Sequence, residues 1–253
     1  MPMMNLRVAQ PDCLVDLNAV AGLDDVSIQD NEVSIGAMTR YAALHQSPII
    51  QQHLPLMVAA ITHIAHPAIR NRGTIGGSAA LADPAAEMPA ILVALDATVE
   101  LRSKQGSRTV AANEFFLDIY ETAREADEII VNFRLPLSGE RAFGFYEIAR
   151  RHGDYASAGA IVTAEKFTPF TDLRVVMFGV SEKPERLCNL ESTLQGTGYQ
   201  IDDIAVATAQ SLSAVEFADS LDLSIETRVQ HANVALQRAF KQMCSSTESS
   251  GYQ

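Results

Sequence analysis

Basic side chains are scarce in this sequence: 19 Lys and Arg stand against 31 Asp and Glu over 253 residues, a formal net charge of −12. Such a chain is ill suited to nucleic acid or to an anionic membrane surface, where basic residues supply most of the affinity. It can still bind phosphate if backbone N–H groups, rather than a basic patch, hold the anion. Cysteine is scarcer still. Cys13, Cys188 and Cys244 lie far apart, with no C-x-x-C pair and no spacing suited to zinc or an iron–sulfur cluster. They read as buried or incidental thiols in a reducing compartment. No apolar stretch reaches the length of a membrane span, and "MPMMNLRVAQ" lacks the apolar centre of a signal peptide. A cytoplasmic location is the expectation. Common catalytic patterns are missing too: there is no Walker A Gly-Lys-Ser/Thr, no H-E-x-x-H and no G-x-S-x-G.

What is present suits a globular α+β protein. Hydrophobic residues make up 47% and charged ones 20%, an ordinary balance that a chain this long can fold into one large domain or two smaller ones. "CLVDL" (13–17) and "EVSIGAM" (32–38) have strand character, with turns at "GLDD" and "QDN". From Arg40 to Ile64 apolar residues recur at helical spacing, interrupted by Pro48 and Pro55. Pro84 is placed to open a further helix through "AAEMPAILVALDA". Strands are expected at 98–103, 107–116 and 125–136, the first two as a hairpin around "KQG". After a linker at "SGER" (138–141) come three strand candidates, "FGFYEIAR", "AGAIVTAEKF" and "LRVVMFGV". Helices follow near 189–195, 202–213 and 226–243, then a polar tail. The expected division is 1–138, 139–244 and a disordered tail at 245–253.

The stretch that asks for a chemical reading is "RNRGTIGGSAALADPAAE". Glycine permits positive φ and close backbone approach. Gly73, Thr74, Ile75, Gly76, Gly77 and Ser78 could form a concave turn whose amides and two hydroxyls face an anion. A plain structural turn explains the glycines as well. Asp83 and Glu87 follow; either can favour the positive end of a helix, or accept a hydrogen bond from a ribose hydroxyl, as acids do in other dinucleotide sites. His63 and His66, three apart, have metal-like spacing but no evident third ligand, and read as loop-lining residues.

"AHPAIRNRGTIGGSAALADPAAEMPAILVAL" closely resembles the flavin-binding medium subunit of the molybdenum hydroxylases, a family that includes aerobic carbon monoxide dehydrogenase and the flavin domain of xanthine dehydrogenase. "VSIGAMTRYAALHQSPII" and "FYEIARRHGDYASAGAIVTA" extend the resemblance over nearly the whole chain. It implies an FAD-binding fold of the vanillyl-alcohol-oxidase (PCMH) type followed by a small sheet-plus-helices domain. It implies FAD as the cofactor, with Gly73–Ser78 as the second of two diphosphate-binding loops, Glu87 at the ribose-contacting acid and Asp83 close by. Ile64 falls near the adenine. Ile130 matches a residue touching the adenine or flavin through its backbone, and Tyr155 falls where an aromatic ring lies against the isoalloxazine. Core packing would account for Ile64 and Ile130, and an ordinary ring with a polar tip for Tyr155. The implied partners are a large subunit with the molybdenum cofactor and a small one with two [2Fe–2S] clusters, in a dimer of heterotrimers. This chain would pass electrons from the clusters through FAD to an external acceptor.

One departure bears on this. The family's first glycine loop, G-G-x-S-L, would precede "MPMMNLR", and no other stretch supplies it. The expectation for the 253 residues as written is therefore weak FAD retention and an exposed, association-prone sheet edge. Two rival functions stand beside electron transfer: a flavin-free scaffold holding partner subunits, and a stand-alone flavin oxidase.

Overall fold

A computed structural model describes residues 2–5, 7, 9–137, 141–167, 169–197, 200–220 and 222–248. Most of the expected linker, Ser138 to Glu140, and the last five residues of the expected tail lie outside these. After a short helix α1 (Pro2–Asn5), the chain forms the hairpin β1 (Val26–Gln29) and β2 (Glu32–Gly36). Its two-residue turn is Asp30-Asn31, both left-handed at φ 50° and 63°. Asn and Asp tolerate that conformation, and the resulting twist matches paired strands. The expected strand at 13–17 does not form. Leu14 and Val15 are exposed there and hydrogen-bond to no neighbouring strand. Strand propensity without a pairing edge leaves coil.

The prolines divide the next segment as expected. α2 (Tyr41–Gln46), α3 (Pro48–His53) and α4 (Pro55–Ile61) are short helices, and both prolines sit at first-turn positions where no backbone donor is lost. α5 (Pro67–Arg70) leads into the glycine segment, which turns into α6 (Ile75–Leu81). Pro84, however, opens no helix. It lies in a turn closed by the Ala86 amide on Asp83 O (3.1 Å) and by the Ala85 amide on Asp83 Oδ1 (3.0 Å). The helix α7 starts three residues later and spans Glu87–Ala94. Asp83 caps the turn more stably than a helix start would, because its side chain reaches the backbone two residues on. All eight residues of α7 are buried, which is why "EMPAILVA" is apolar on every side.

β3 (Thr98–Arg102) and β4 (Ser107–Ala111) form the expected hairpin, but the second strand, expected to reach residue 116, ends at Ala111, where the chain turns into a short helix. α8 (Ala112–Phe115) and the small hairpin β5 (Phe116–Asp118), β6 (Glu121–Thr122) precede β7 (Ile129–Pro136). The first sheet is antiparallel in the order β1-β2-β7-β3-β4. β8 (Ala142–Ile148), β9 (Ala158–Ala164), β10 (Lys166–Phe167), β11 (Phe170–Thr171), β12 (Arg174–Phe178) and β13 (Glu185–Arg186) follow. The second sheet runs β13-β12-β9-β8. α9 (Cys188–Leu194), α10 (Ile201–Leu212) and α11 (Ile225–Glu248) complete the chain, α11 continuing four residues into the expected tail.

The second sheet is a middle layer. Phe145, Ile161, Val176 and Phe178 share a core with α4, α7 and the first sheet. The opposite face, with Ala158, Ala160, Val162 and Ala164, packs on Leu236, Ala239, Phe240 and Met243 of α11. Every residue of β9 is therefore buried, which a two-faced strand requires. An ion-pair chain also crosses between the two parts. Asp96, just past α7, meets Arg174 at 2.8 Å and Arg186 at 3.3 Å.

Gly144 sets how closely α11 approaches: a Cβ there would lie 1.8 Å from Ala239 O and 2.7 Å from its carbonyl carbon. Gly144→Ala must push the helix off β8. A stability loss of about 1–3 kcal/mol, the usual cost of overpacking, is expected in urea denaturation. An unchanged midpoint would contradict this packing.

Candidate functional site

The glycine segment is fixed to the end of β2 by main-chain bonds. The Ile75 amide donates to Thr39 O (3.1 Å), the Gly76 amide to Ala37 O (2.8 Å) and the Tyr41 amide to Gly73 O (3.1 Å). The Gly73 amide donates to Ile69 O (2.6 Å), and the Ser78 amide to Thr74 O (3.1 Å). Thr74 caps α6, its Oγ1 accepting from the Gly77 amide at 3.1 Å, as N-cap hydroxyls do. The Thr74 amide alone among the six has no protein partner in the described structure. A nest of outward-facing amides across 73–78 is thus not what forms. The loop exposes instead the Thr74 amide, the Gly77 amide held by a side chain, and the Thr74 and Ser78 hydroxyls.

The three glycines serve space rather than positive φ, which none of them adopts. A Cβ on Gly76 would sit 2.6 Å from Ala37, and one on Gly73 would lie 3.1 Å from the Tyr41 ring. At Gly77 the only neighbour is Thr74 Oγ1, at 2.9 Å. Gly73 and Gly76 let the loop dock; Gly77 keeps its outer face open.

Around this loop the structure gathers most of the residues expected from sequence. The Tyr41 phenol hydrogen-bonds to Ser78 Oγ. Burial pushes that phenol up and the Glu87 charge adds to the shift, while the bond to Ser78 opposes it. Glu87, in the first turn of α7, is only 8% exposed. Burial pushes its carboxyl up to about 7; Glu147 and Asp83 reinforce this, while its own backbone N–H and His63 oppose it. Asp83 is equally buried. Tyr155 stands beside it, 69% exposed. Partial burial and then the Asp83 charge raise the Tyr155 phenol, and Asp83 raises Tyr120 likewise.

Ile64 and Ile130 are both buried in the main core, so packing accounts for their side chains. Loop geometry nevertheless brings Ile64 to the site. Gly153, left-handed at φ 85°, lets its loop come so near Ala65 that a Cβ would lie 2.7 Å from Ala65 O. Arg70 Nη1 donates to the carbonyls of Ile64 and Ala65 at 2.8 Å each. Ile130 is one step removed: Val131 O accepts from the Ala37 amide at 3.1 Å, and Ala37 holds Gly76.

Sequence reasoning missed Tyr41 and the pair His63–Glu147. His63 Nδ1 lies 3.0 Å from Glu147 Oε1, and the Glu147 side chain is 4% exposed. Its Oε2 has no hydrogen-bond partner in the described structure. These residues come from α2, the end of α4 and β8, elements distant in sequence, and nothing local marks them. Among the described residues no group of His, Cys, Asp and Glu is arranged to hold a metal. Cys13 and Cys188 are exposed and Cys244 buried. The Arg150 pair with Asp222 is exposed on both sides, a geometry worth little.

With this geometry in view, comparison with known proteins is decisive. The FAD binding domain in molybdopterin dehydrogenase matches residues 1–138. This chain belongs to that family. It is 37% identical to the nicotine 6-hydroxylase medium subunit of Paenarthrobacter nicotinovorans, over 90% of this chain and 81% of that one. It is 34% identical to the carbon monoxide dehydrogenase medium chain of Hydrogenophaga pseudoflava, over 94% and 84%. The solved carbon monoxide dehydrogenase of Hydrogenophaga pseudoflava superposes with a TM-score of 0.92 at 33% identity, covering 96% of this chain and 86% of the other. Quinoline 2-oxidoreductase of Pseudomonas putida 86 gives 0.91 at 31% identity, with the same coverage. The fold is accordingly the PCMH-type FAD-binding fold with a sheet-plus-helices unit after it, and the cofactor of the family is FAD.

The residues present fit that cofactor. Two hydroxyls and an open glycine face suit a diphosphate, a buried acid suits a sugar hydroxyl, and the exposed Tyr155 ring, with Tyr120 close to it, offers apolar surface. Glu87 also has a measurable signature. Its folded pKa lies above the ordinary value of 4.5, so the folded state holds the proton more tightly than the unfolded one. The stability tied to that proton is complete below about pH 4.5 and is lost as pH rises through about 7. Glu87→Gln should remove a pH-dependent loss of about 3 kcal/mol across that window. Urea titrations at pH 5 and pH 8 check it; parallel pH dependence in wild type and variant would contradict it.

Proposed function

We propose that this chain is the flavin-carrying subunit of a cytoplasmic molybdenum hydroxylase complex. It takes electrons from [2Fe–2S] clusters on a small partner subunit and passes them to an external acceptor. A large partner carries the molybdenum cofactor and the substrate chemistry, and the assembly is a dimer of heterotrimers. The single observation carrying this reading is the convergence of the Thr74–Ser78 edge, Glu87, Asp83 and Tyr155 in one region of a chain from the FAD-binding family. Membership of carbon monoxide dehydrogenase and nicotine 6-hydroxylase medium subunits among its relatives supports the assembly. So does the cysteine distribution, which offers no cluster ligation within the chain. No helix of the described residues is long and apolar enough to cross a membrane.

In this reading Thr74, Gly77 and Ser78 hold the diphosphate, Glu87 with Asp83 nearby orients the sugar hydroxyls, and Tyr155 lies along the isoalloxazine. Ile64 lies near the adenine, and Ile130 meets the adenine or the flavin through its backbone. FAD, when bound, supplies the exchange between paired and single electrons. The protein's part is placement. α7 fixes Glu87 in the core, Tyr41 holds Ser78 in one rotamer, and the Gly153–Ala65 contact ties the Tyr155 loop to Ile64. The acids near Tyr155, Asp83 and Glu87, are taken up by the sugar in this reading, which favours electron transfer over an oxidase acting alone.

A second reading is a flavin-free scaffold. It is favoured by the number of loop amides already bonded within the fold. Purification from the native cell separates the readings. The electron carrier is expected to come with one FAD per chain, plus iron- and molybdenum-containing partners. Partners without flavin would leave the scaffold, and flavin without partners would leave the oxidase.

A further inference from the structure

With five of the six amides of 73–78 bonded inside the protein, the charge of a diphosphate needs another counterpart. Arg40 and Thr74 form an isolated antiparallel bridge. The bonds that define it run from the Tyr41 amide to Gly73 O and from the Ile75 amide to Thr39 O. Arg40 and Thr74 are therefore the non-hydrogen-bonded pair, whose side chains stand closest together on one face. The Arg40 guanidinium is exposed, and its partners are neutral: Asn71 O at 3.1 Å and Asn18 Oδ1 at 3.4 Å. Among the described residues it has no carboxylate within 4.0 Å, in a chain with 31 acids.

Arg40 also lines a cavity of about 170 Å³ together with Thr39, Asn18 and Asp24. Thr39 is 2% exposed, and its buried Oγ1 has no hydrogen-bond partner. An unmet buried hydroxyl is costly unless a ligand or other partner reaches it. Thr39 O already holds the loop through Ile75, so the cavity lined by this residue and Arg40 adjoins the glycine segment, although no residue of 73–78 is among its lining.

We propose that Arg40 and Thr39 are diphosphate-binding residues: the guanidinium takes a phosphate oxygen in a charge-assisted hydrogen bond, and the Thr39 hydroxyl lines the same anion pocket. This rests on the flavin reading above and adds the cation that the loop lacks. Arg40 suits the role because it can exchange two neutral partners for an anion without breaking an ion pair.

The test uses the full chain and two probes, FAD followed by fluorescence and inorganic pyrophosphate followed by thermal shift. Arg40→Gln should weaken both probes about tenfold or more and flatten the salt dependence, with Arg40→Lys recovering part of the loss. Thr39→Val should leave the ligand-free protein as stable or more stable, because an unmet polar group is removed, yet weaken both probes. Equal affinity in wild type and Arg40→Gln overturns the proposal even where FAD binds well. Pyrophosphate binding that depends on Arg40, in a chain that ignores FAD, sustains the anion site and sinks the flavin reading. Failure of wild type to bind either probe sinks both.

Discussion

The site depends on one tight backbone contact, Gly76 against Ala37. Two main-chain bonds, from Ile75 to Thr39 and from Gly76 to Ala37, fasten the glycine segment across the end of β2. No side chain fits between them: a Cβ on Gly76 would fall 2.6 Å from both the Ala37 Cβ and its carbonyl oxygen. From that anchor the remaining geometry follows. α6 starts where Thr74 caps it, Ser78 comes under Tyr41, and the chain turns at Asp83 to deliver Glu87 into the core as the first residue of α7. A looser junction would leave the hydroxyls, the acid and the tyrosine without a common frame.

α7 links this frame to the rest of the molecule. It is enclosed by α4, α6 and the middle sheet, so the acid at its start cannot shift without disturbing two layers. The energetic conflict at Glu87, a carboxyl held out of water beside Glu147 and Asp83, is the kind of local cost that stable frames tolerate at functional positions. His63, paired with Glu147 at 3.0 Å, opposes it together with the backbone N–H of Glu87 itself.

Much of this was legible in the sequence where the signal is local. Pro48 and Pro55 marked helix starts, the strands of the second sheet read as apolar runs, and "GTIGGS" with its acids marked the segment against which the fold sets Tyr41. Three readings failed for physical reasons. "CLVDL" has strand composition, but strands need an edge to pair with. Pro84 suits a helix start, yet the Asp83 side chain captures the following amide and makes a turn. The glycines suggested a nest of free amides, but whether an amide is free depends on the acceptor facing it, and Ala37 and Thr39 lie far back in the chain. For the same reason Tyr41, Glu147 and Arg40 escaped notice: each becomes relevant only when the fold brings separate segments together.

Hydrogen–deuterium exchange of the glycine segment, with and without FAD, tests the central claim most directly. The account predicts that the Ile75 and Gly76 amides exchange slowly in both states, because the fold already bonds them, while the Thr74 amide, which has no partner in the described structure, becomes protected only when FAD is added. Unchanged exchange at Thr74 in a flavin-loaded chain would contradict it.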